Sequence, residues 1–213
     1  METGPPAAAA SAPTSPEIEL EPPEWQPRVM WLSARALCGA AAFFFISFVF
    51  AYFYLRSLDT NRSWKIGHVS VPVGWGLAIM VVLVLSAIAM RVAATDAART
   101  VSAGAAALGL ALLSIVLQVI TWTTLGFGPA SGGFASVYVG WTVVYTVFTL
   151  ACAYWIETQV ATAWRMRREG TGATAAHVLT DTELTQAGLS ACSYFWNFYV
   201  FNGVVLFVVL YLL

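Results

Sequence analysis

The segment "ARALCGAAAFFFISFVFAYFYL", residues 34–55, contains a single charged residue, Arg35, near its start. The hydrocarbon core of a bilayer is crossed by about 20 helical residues. Lipid offers no hydrogen-bond partners, so a backbone crossing it must satisfy its own amide and carbonyl groups, which an α-helix does. The segment therefore predicts a membrane-spanning α-helix.

Four more apolar runs of similar length follow this segment, and they predict an all-α, polytopic membrane protein. The five transmembrane helices are expected at about 34–55, 72–90, 100–125, 134–158 and 181–213, within one domain from 31 to 213. The chain is 59% hydrophobic and only 10% charged, whereas soluble domains are about 25% charged. For the last helix, Thr180 and Glu183 match a capping box, which predicts a start near residue 181.

Residues 1–30 have a different composition, with seven of the nine prolines and five glutamates. Such a segment buries too little apolar surface to offset the entropy of ordering, so we expect a disordered tail. It has no basic region ahead of an apolar core, so it does not resemble a cleaved signal peptide.

Arginine and lysine in the connecting segments predict the orientation. Positive residues concentrate on the cytoplasmic side of membrane proteins, which places the N-terminus in the cytoplasm and the C-terminus outside. The expected cytoplasmic set is Arg28, Arg35, Arg91, Arg99, Arg165, Arg167 and Arg168, against Arg56, Arg62 and Lys65 on the other side.

Composition also argues against several functions. The net charge of −1 gives no basic surface for nucleic acid. Cys38, Cys152 and Cys192 each lie in an apolar run without metal-ligand spacing, and we expect buried free thiols. The only histidines, His68 and His177, fall in expected loops, which argues against a haem or copper centre in this chain.

Few polar groups lie inside the apolar runs. Glu157 is the best candidate among the carboxylates for an interfacial or proton-path residue, because the last apolar run begins only at about residue 188. Gln118, Asn197 and Asn202 are candidate interhelical hydrogen-bond partners. The two asparagines are five residues apart, about 140° around a helix. The last helix is therefore expected to lie between other helices.

Three segments carry a recurrent aromatic pattern. Residues 39–58 contain a phenylalanine-rich run and then Ala-Tyr-Phe, residues 133–155 open with G-x-x-S-x-Y, and residues 194–213 run from W-x-F to Tyr-Leu. Together they resemble subunit III of haem–copper oxidases, in the short form with five helices, over about residues 30–213. The matching residues are Phe44, Phe45, Phe48, Ala51, Tyr52, Phe53, Gly133, Ser136, Tyr138, Trp196, Phe198, Phe207, Tyr211 and Leu212.

The polar residues of the family pattern are replaced in this chain. The family's glutamate falls on Ala41, and its paired histidines fall near Tyr145 and Phe148. A further histidine falls on Asn197, and an aspartate falls on Val200. Asn197 is accordingly interpreted as a neutral substitute for a histidine.

The resemblance implies a non-catalytic accessory subunit of a terminal oxidase in a bacterial plasma membrane. The implied partners are oxidase subunits I and II and membrane phospholipid. Haem and copper would lie in subunit I, where oxygen is reduced to water and a proton gradient is formed. This chain would bind neither cofactor.

Contact with subunit I is expected at the first helix, through Phe44, Phe48 and Tyr52, and at small residues of the third helix, Gly104 and Ala107. Three alternatives stay open: a partner of a nitric oxide reductase, a small transporter or channel, and an assembly factor. The paired Gly/Pro-broken helices and midplane polar groups of many transporters are not found in the sequence.

Overall fold

The computed structural model describes residues 25–59, 64–65, 69–169 and 175–213, without the side chains of 169 and 175–181. The described part consists of five α-helices and a closing π-helical turn. The helices are α1 (Trp25–Ser57), α2 (Val73–Thr95), α3 (Thr100–Thr124), α4 (Gly133–Glu169) and α5 (Ala175–Phe207), and the turn is Val208–Leu212.

All five helices are long and apolar enough to cross a membrane, which confirms the predicted all-α, multi-pass architecture. Three helices extend beyond the apolar runs. α1 already begins at Trp25, and α4 continues to Glu169. α5 begins at Ala175, so Thr180 lies inside the helix and the expected N-cap at this residue is wrong. Of the expected tail, residues 1–24 lie outside the described residues.

α5 is the central helix of the bundle. It packs against α1, α2 and α4, while α3 packs between α2 and α4. α1 and α4 touch each other least among the packed pairs. The prediction that the last helix lies between other helices is therefore confirmed. The two ends of the bundle differ in charge, and we call the end with Arg91, Arg99 and Arg165 the arginine-rich end.

Small residues set the close approach of α2, α3 and α4. Ala93 and Ala107 are fully buried. A methyl group added at Gly104 would overlap the Val160 side chain of α4 and also contact Ala93. At the α2–α3 turn, the Thr100 hydroxyl donates to the carbonyl of Ala93 over 3.0 Å. Helix backbones can approach this closely only where side chains are small.

Candidate functional site

The centre of the bundle contains four packed aromatic rings, Phe45, Tyr145, Trp196 and Tyr199, which we call the four-ring core. The Tyr145 and Tyr199 rings are stacked, with centroids 4.4 Å apart and planes 15° apart. Phe45 of α1 lies 6.0 Å from each of them, centroid to centroid. Trp196 also stacks on Tyr199, with ring centroids 5.5 Å apart. The core thus joins α1, α4 and α5.

The phenol groups of this core bond across helices. The Tyr145 hydroxyl donates to the main-chain carbonyl of Tyr199 over 3.2 Å, and the Tyr199 hydroxyl donates to the carbonyl of Tyr145. The Thr149 hydroxyl lies 2.9 Å from the Tyr199 hydroxyl. Both phenols are therefore satisfied in an otherwise apolar interior, where an unpaired polar group is costly.

A second polar connection ties α5 to α2 and α3. The Trp196 indole N–H donates to the Ser86 hydroxyl over 3.2 Å. The Ser86 hydroxyl donates in turn to the carbonyl of Ala107 over 2.7 Å. Ser86 is fully buried and is the only serine or threonine of α2 before Thr95. Its isolation in an apolar run was a sequence signal for this role, and our sequence analysis missed it.

Two further contacts lie toward the end opposite the arginine-rich one. The hydroxyls of Tyr138 and Tyr211 are 2.6 Å apart. The Trp122 indole N–H donates to the Thr142 hydroxyl over 3.0 Å, which links α3 to α4. Buried indole and hydroxyl groups are thus hydrogen-bonded to other side chains both at the centre of the bundle and toward this end.

The candidate polar residues do not form one cluster. Glu157 is exposed on the outward side of α4, beside Tyr154, which is 69% exposed. Asn197 and Asn202 are partly buried. Their amides donate to carbonyls one turn back in their own helix, Asn197 to Ser193 over 2.7 Å and Asn202 to Phe198 over 2.8 Å. The expected interhelical bonds of these two amides are therefore not formed among the described residues. Gln118 is buried in α3.

The expected subunit contacts divide into two groups. Phe44 and Phe48 are partly accessible on α1. Tyr52, Gly104 and Ala107 are buried inside the chain, where Tyr52 packs on Trp64 with ring centroids 5.3 Å apart. Small residues of α3 do permit close helix approach, but at Gly104 and Ala107 the neighbours belong to this chain. These three residues are thus occupied by contacts within this chain, and their expected contact with another subunit stays a prediction.

An apolar cleft of about 370 Å³ opens where α1 diverges from α4 and α5. It lies toward the arginine-rich end, because its lining includes Met30 from the first turns of α1 and Gln159 from the last third of α4. Trp155, Leu37 and Ala191 supply apolar walls. An acyl chain or an apolar side chain of another protein would find a matching surface there.

The described residues offer hydrogen-bond donors and apolar walls, and they hold no group of three His, Cys, Asp or Glu side chains placed to bind a metal ion. Cys38, Cys152 and Cys192 are buried and unpaired with each other. His68 lies outside the described residues, as does the side chain of His177. Comparison of the chain with known protein families and with characterised proteins gave no match.

Proposed function

We propose that this protein is a non-catalytic accessory subunit, of the subunit III type, in a terminal haem–copper oxidase of a bacterial plasma membrane. One observation carries the proposal. The three segments that resemble the family are far apart in sequence, yet their aromatic residues pack on one another. Phe45 of the first segment contacts Tyr145 of the second, and Tyr138 of the second bonds Tyr211 of the third.

The chemistry of the interior supports an accessory role. Each phenol and indole of the four-ring core bonds to a fixed carbonyl or hydroxyl of the protein. Such groups fix the packing of the helices. In the proposed complex, subunit I holds the haem and copper, and subunits I and II are the partners of this chain.

The apolar cleft between α1 and α4 supports the expected phospholipid. Its walls are mostly apolar, and two polar side chains, Ser33 and Gln159, lie among them. We propose that an acyl chain occupies this cleft in the membrane, as the resemblance implies.

Purification from native membranes tests the proposal. The chain would be tagged ahead of α1 and purified in a mild detergent. The visible spectrum would then be recorded and the copurifying chains identified. The expected result is a haem spectrum and a large polytopic partner in equal stoichiometry. The type of haem–copper partner then distinguishes oxygen reduction from nitric oxide reduction. A colourless protein, alone or self-associated, would overturn the accessory-subunit proposal in favour of a transporter or an assembly factor.

A further inference from the structure

A pocket with two basic side chains opens at the end of the bundle opposite the arginine-rich one. Its volume is about 170 Å³, and it lies where the end of α1, the start of α4 and the closing turn meet. Arg56 and Lys65 are the basic residues of its lining, and the other lining residues are aromatic or aliphatic. This pocket is therefore separate from the apolar cleft, which lies toward the arginine-rich end.

Contacts with other lining residues place the charged groups of both side chains at this pocket. Lys65 Nζ lies 5.1 Å from the centroid of the Phe134 ring. Arg56 Nη1 donates to the main-chain carbonyl of Leu213 over 3.0 Å. Phe134 and Leu213 both line the pocket. The side chains of Arg56 and Lys65 are exposed, so a ligand at the surface can reach them.

The charge of the lining favours an anion. Within the part of the chain that the structure describes, neither Arg56 nor Lys65 forms an ion pair with an Asp or Glu side chain. Asp59 follows Arg56 closely in the chain, but it does not belong to the lining. Even if a terminal carboxylate on Leu213 offsets one of the two positive charges, the other remains. A recess lined by charges of one sign attracts ligands of the opposite sign.

The position of the pocket along α1 favours phosphate as that anion. The apolar run of α1 ends at Leu55, and Arg56 is the next residue. Trp64 and Tyr211 also line the pocket, and tryptophan and tyrosine side chains are enriched at the level of lipid head groups. Guanidinium and ammonium groups bind phosphate oxygens through charge-assisted hydrogen bonds. Both cations retain N–H donors for such bonds, because each has more of them than the contacts described above use.

We propose that this pocket binds a phosphate group. The Arg56 guanidinium and the Lys65 ammonium donate to its oxygens, and the bound phosphate links the end of α1 to the segment that precedes α2. Two sources offer the same chemistry, a phospholipid head group and a free phosphate ion. The experiment distinguishes them.

Lys65 is the only lysine of the chain, so lysine labelled with 15N at Nζ gives a single side-chain signal. The full chain would be reconstituted in bilayers, and solid-state NMR would measure the loss of this signal through dipolar coupling to 31P. Such a loss requires a phosphorus atom held within a few ångströms of Nζ. The bilayers would be phosphatidylglycerol, phosphorus-free galactolipid with a few phosphatidylglycerol molecules per chain, and galactolipid with inorganic phosphate.

A phospholipid site is expected to give nearly the same signal loss in the first two bilayers, and a free-phosphate site is expected to give a loss in the third. An exposed lysine without a site meets phosphate only in proportion to its concentration. A loss that falls in proportion to the phosphatidylglycerol content, with none from inorganic phosphate, would therefore overturn the proposal. No loss in any bilayer would overturn it too.

Arg56→Gln tests whether the two cations share one phosphate. This variant should reduce the 31P-dependent loss at Lys65 several-fold. Arg168→Gln makes the same change of charge at a guanidinium that packs on Trp164 at the arginine-rich end, and it should leave the loss unchanged. Equal losses in the unchanged chain and in Arg56→Gln would overturn the proposal. If Arg56→Gln does not fold, the comparison of bilayers decides. The result does not depend on the oxidase assignment.

Discussion

The phenol rings of Tyr145 and Tyr199 lie face to face, 4.4 Å apart, and each hydroxyl donates to the main-chain carbonyl of the other residue. This reciprocal arrangement fixes the rotation of both helices, because both rings and both carbonyls must face the α4–α5 contact at the same level. It also places polar hydroxyls inside the bundle without leaving them unpaired.

Tyr199→Phe is expected to destabilise the bundle. The change removes a hydroxyl that donates to the Tyr145 carbonyl and lies 2.9 Å from the Thr149 hydroxyl. Hydrogen bonds between transmembrane helices average about 0.6 kcal/mol, so a loss of about 0.5–1.5 kcal/mol is expected. The free energy of unfolding in detergent measures the loss. Tyr154→Phe removes a hydroxyl on the exposed side of α4 and is the matched control. Equal effects of the two variants would contradict the role of the Tyr145–Tyr199 pair.

Ser86→Ala should lower the free energy of unfolding by more than the loss of one small hydroxyl group would suggest. The serine hydroxyl is the acceptor for the Trp196 indole, and both residues are almost fully buried. The variant leaves the indole N–H without an acceptor, and such a group costs about 1–3 kcal/mol. Ser102→Ala, which removes an exposed hydroxyl on α3, serves as the comparison in the same unfolding measurement. A neutral Ser86→Ala would show that Trp196 finds another acceptor.

Gly104→Leu tests the α3–α4 contact. Even a methyl group at this position would overlap the Val160 side chain, so a larger one forces the helices apart. Overpacking of this kind typically costs about 1–3 kcal/mol or more. Gly109→Leu on the same helix is the control, because an added methyl group there meets nothing within 4 Å. We expect Gly104→Leu to lower the melting temperature well below that of Gly109→Leu, and the reverse order would refute the packing argument.

The sequence allowed the five helices to be predicted, because length and apolarity are local properties. The position of α5 between other helices was inferred from its two asparagines, but their amides bond within α5 itself, so that inference agrees with the fold for a different reason. The sequence did not locate the end of a helix when that helix continues past its apolar run. The last turns of α4 to Glu169 carry several charges, and the first turns of α1 from Trp25 mix apolar residues with Gln26 and Arg28. Hydropathy reports on transfer into lipid, and it carries little information about backbone hydrogen bonds beyond the apolar region.

Contacts between residues that are far apart in the chain could not be predicted from the sequence either. Ser86 and Trp196 are 110 positions apart, and their contact depends on the register of α2 against α5. The error at Asn197 has a physical reason, because a short amide can bond the carbonyl four residues earlier in its own helix as well as a neighbour. Gly104 was expected to contact subunit I, and in this chain its near neighbour is Val160 of α4.

Glu157→Leu is expected to weaken assembly with the partner subunit without lowering the stability of this chain. The Glu157 side chain is exposed on the outward side of a membrane-spanning helix, and no cation pairs with it among the described residues. Carboxylates in spanning segments generally face protein or water, so in the proposed complex a partner subunit would cover this one. The variant should then recover several-fold less haem per tagged chain, while the isolated chain keeps or gains stability. Ile88→Leu, at a residue of α2 that is 54% exposed, controls for a general change of the outward surface. Full haem recovery with Glu157→Leu would place this side of α4 against lipid and direct the search for the partner to α1.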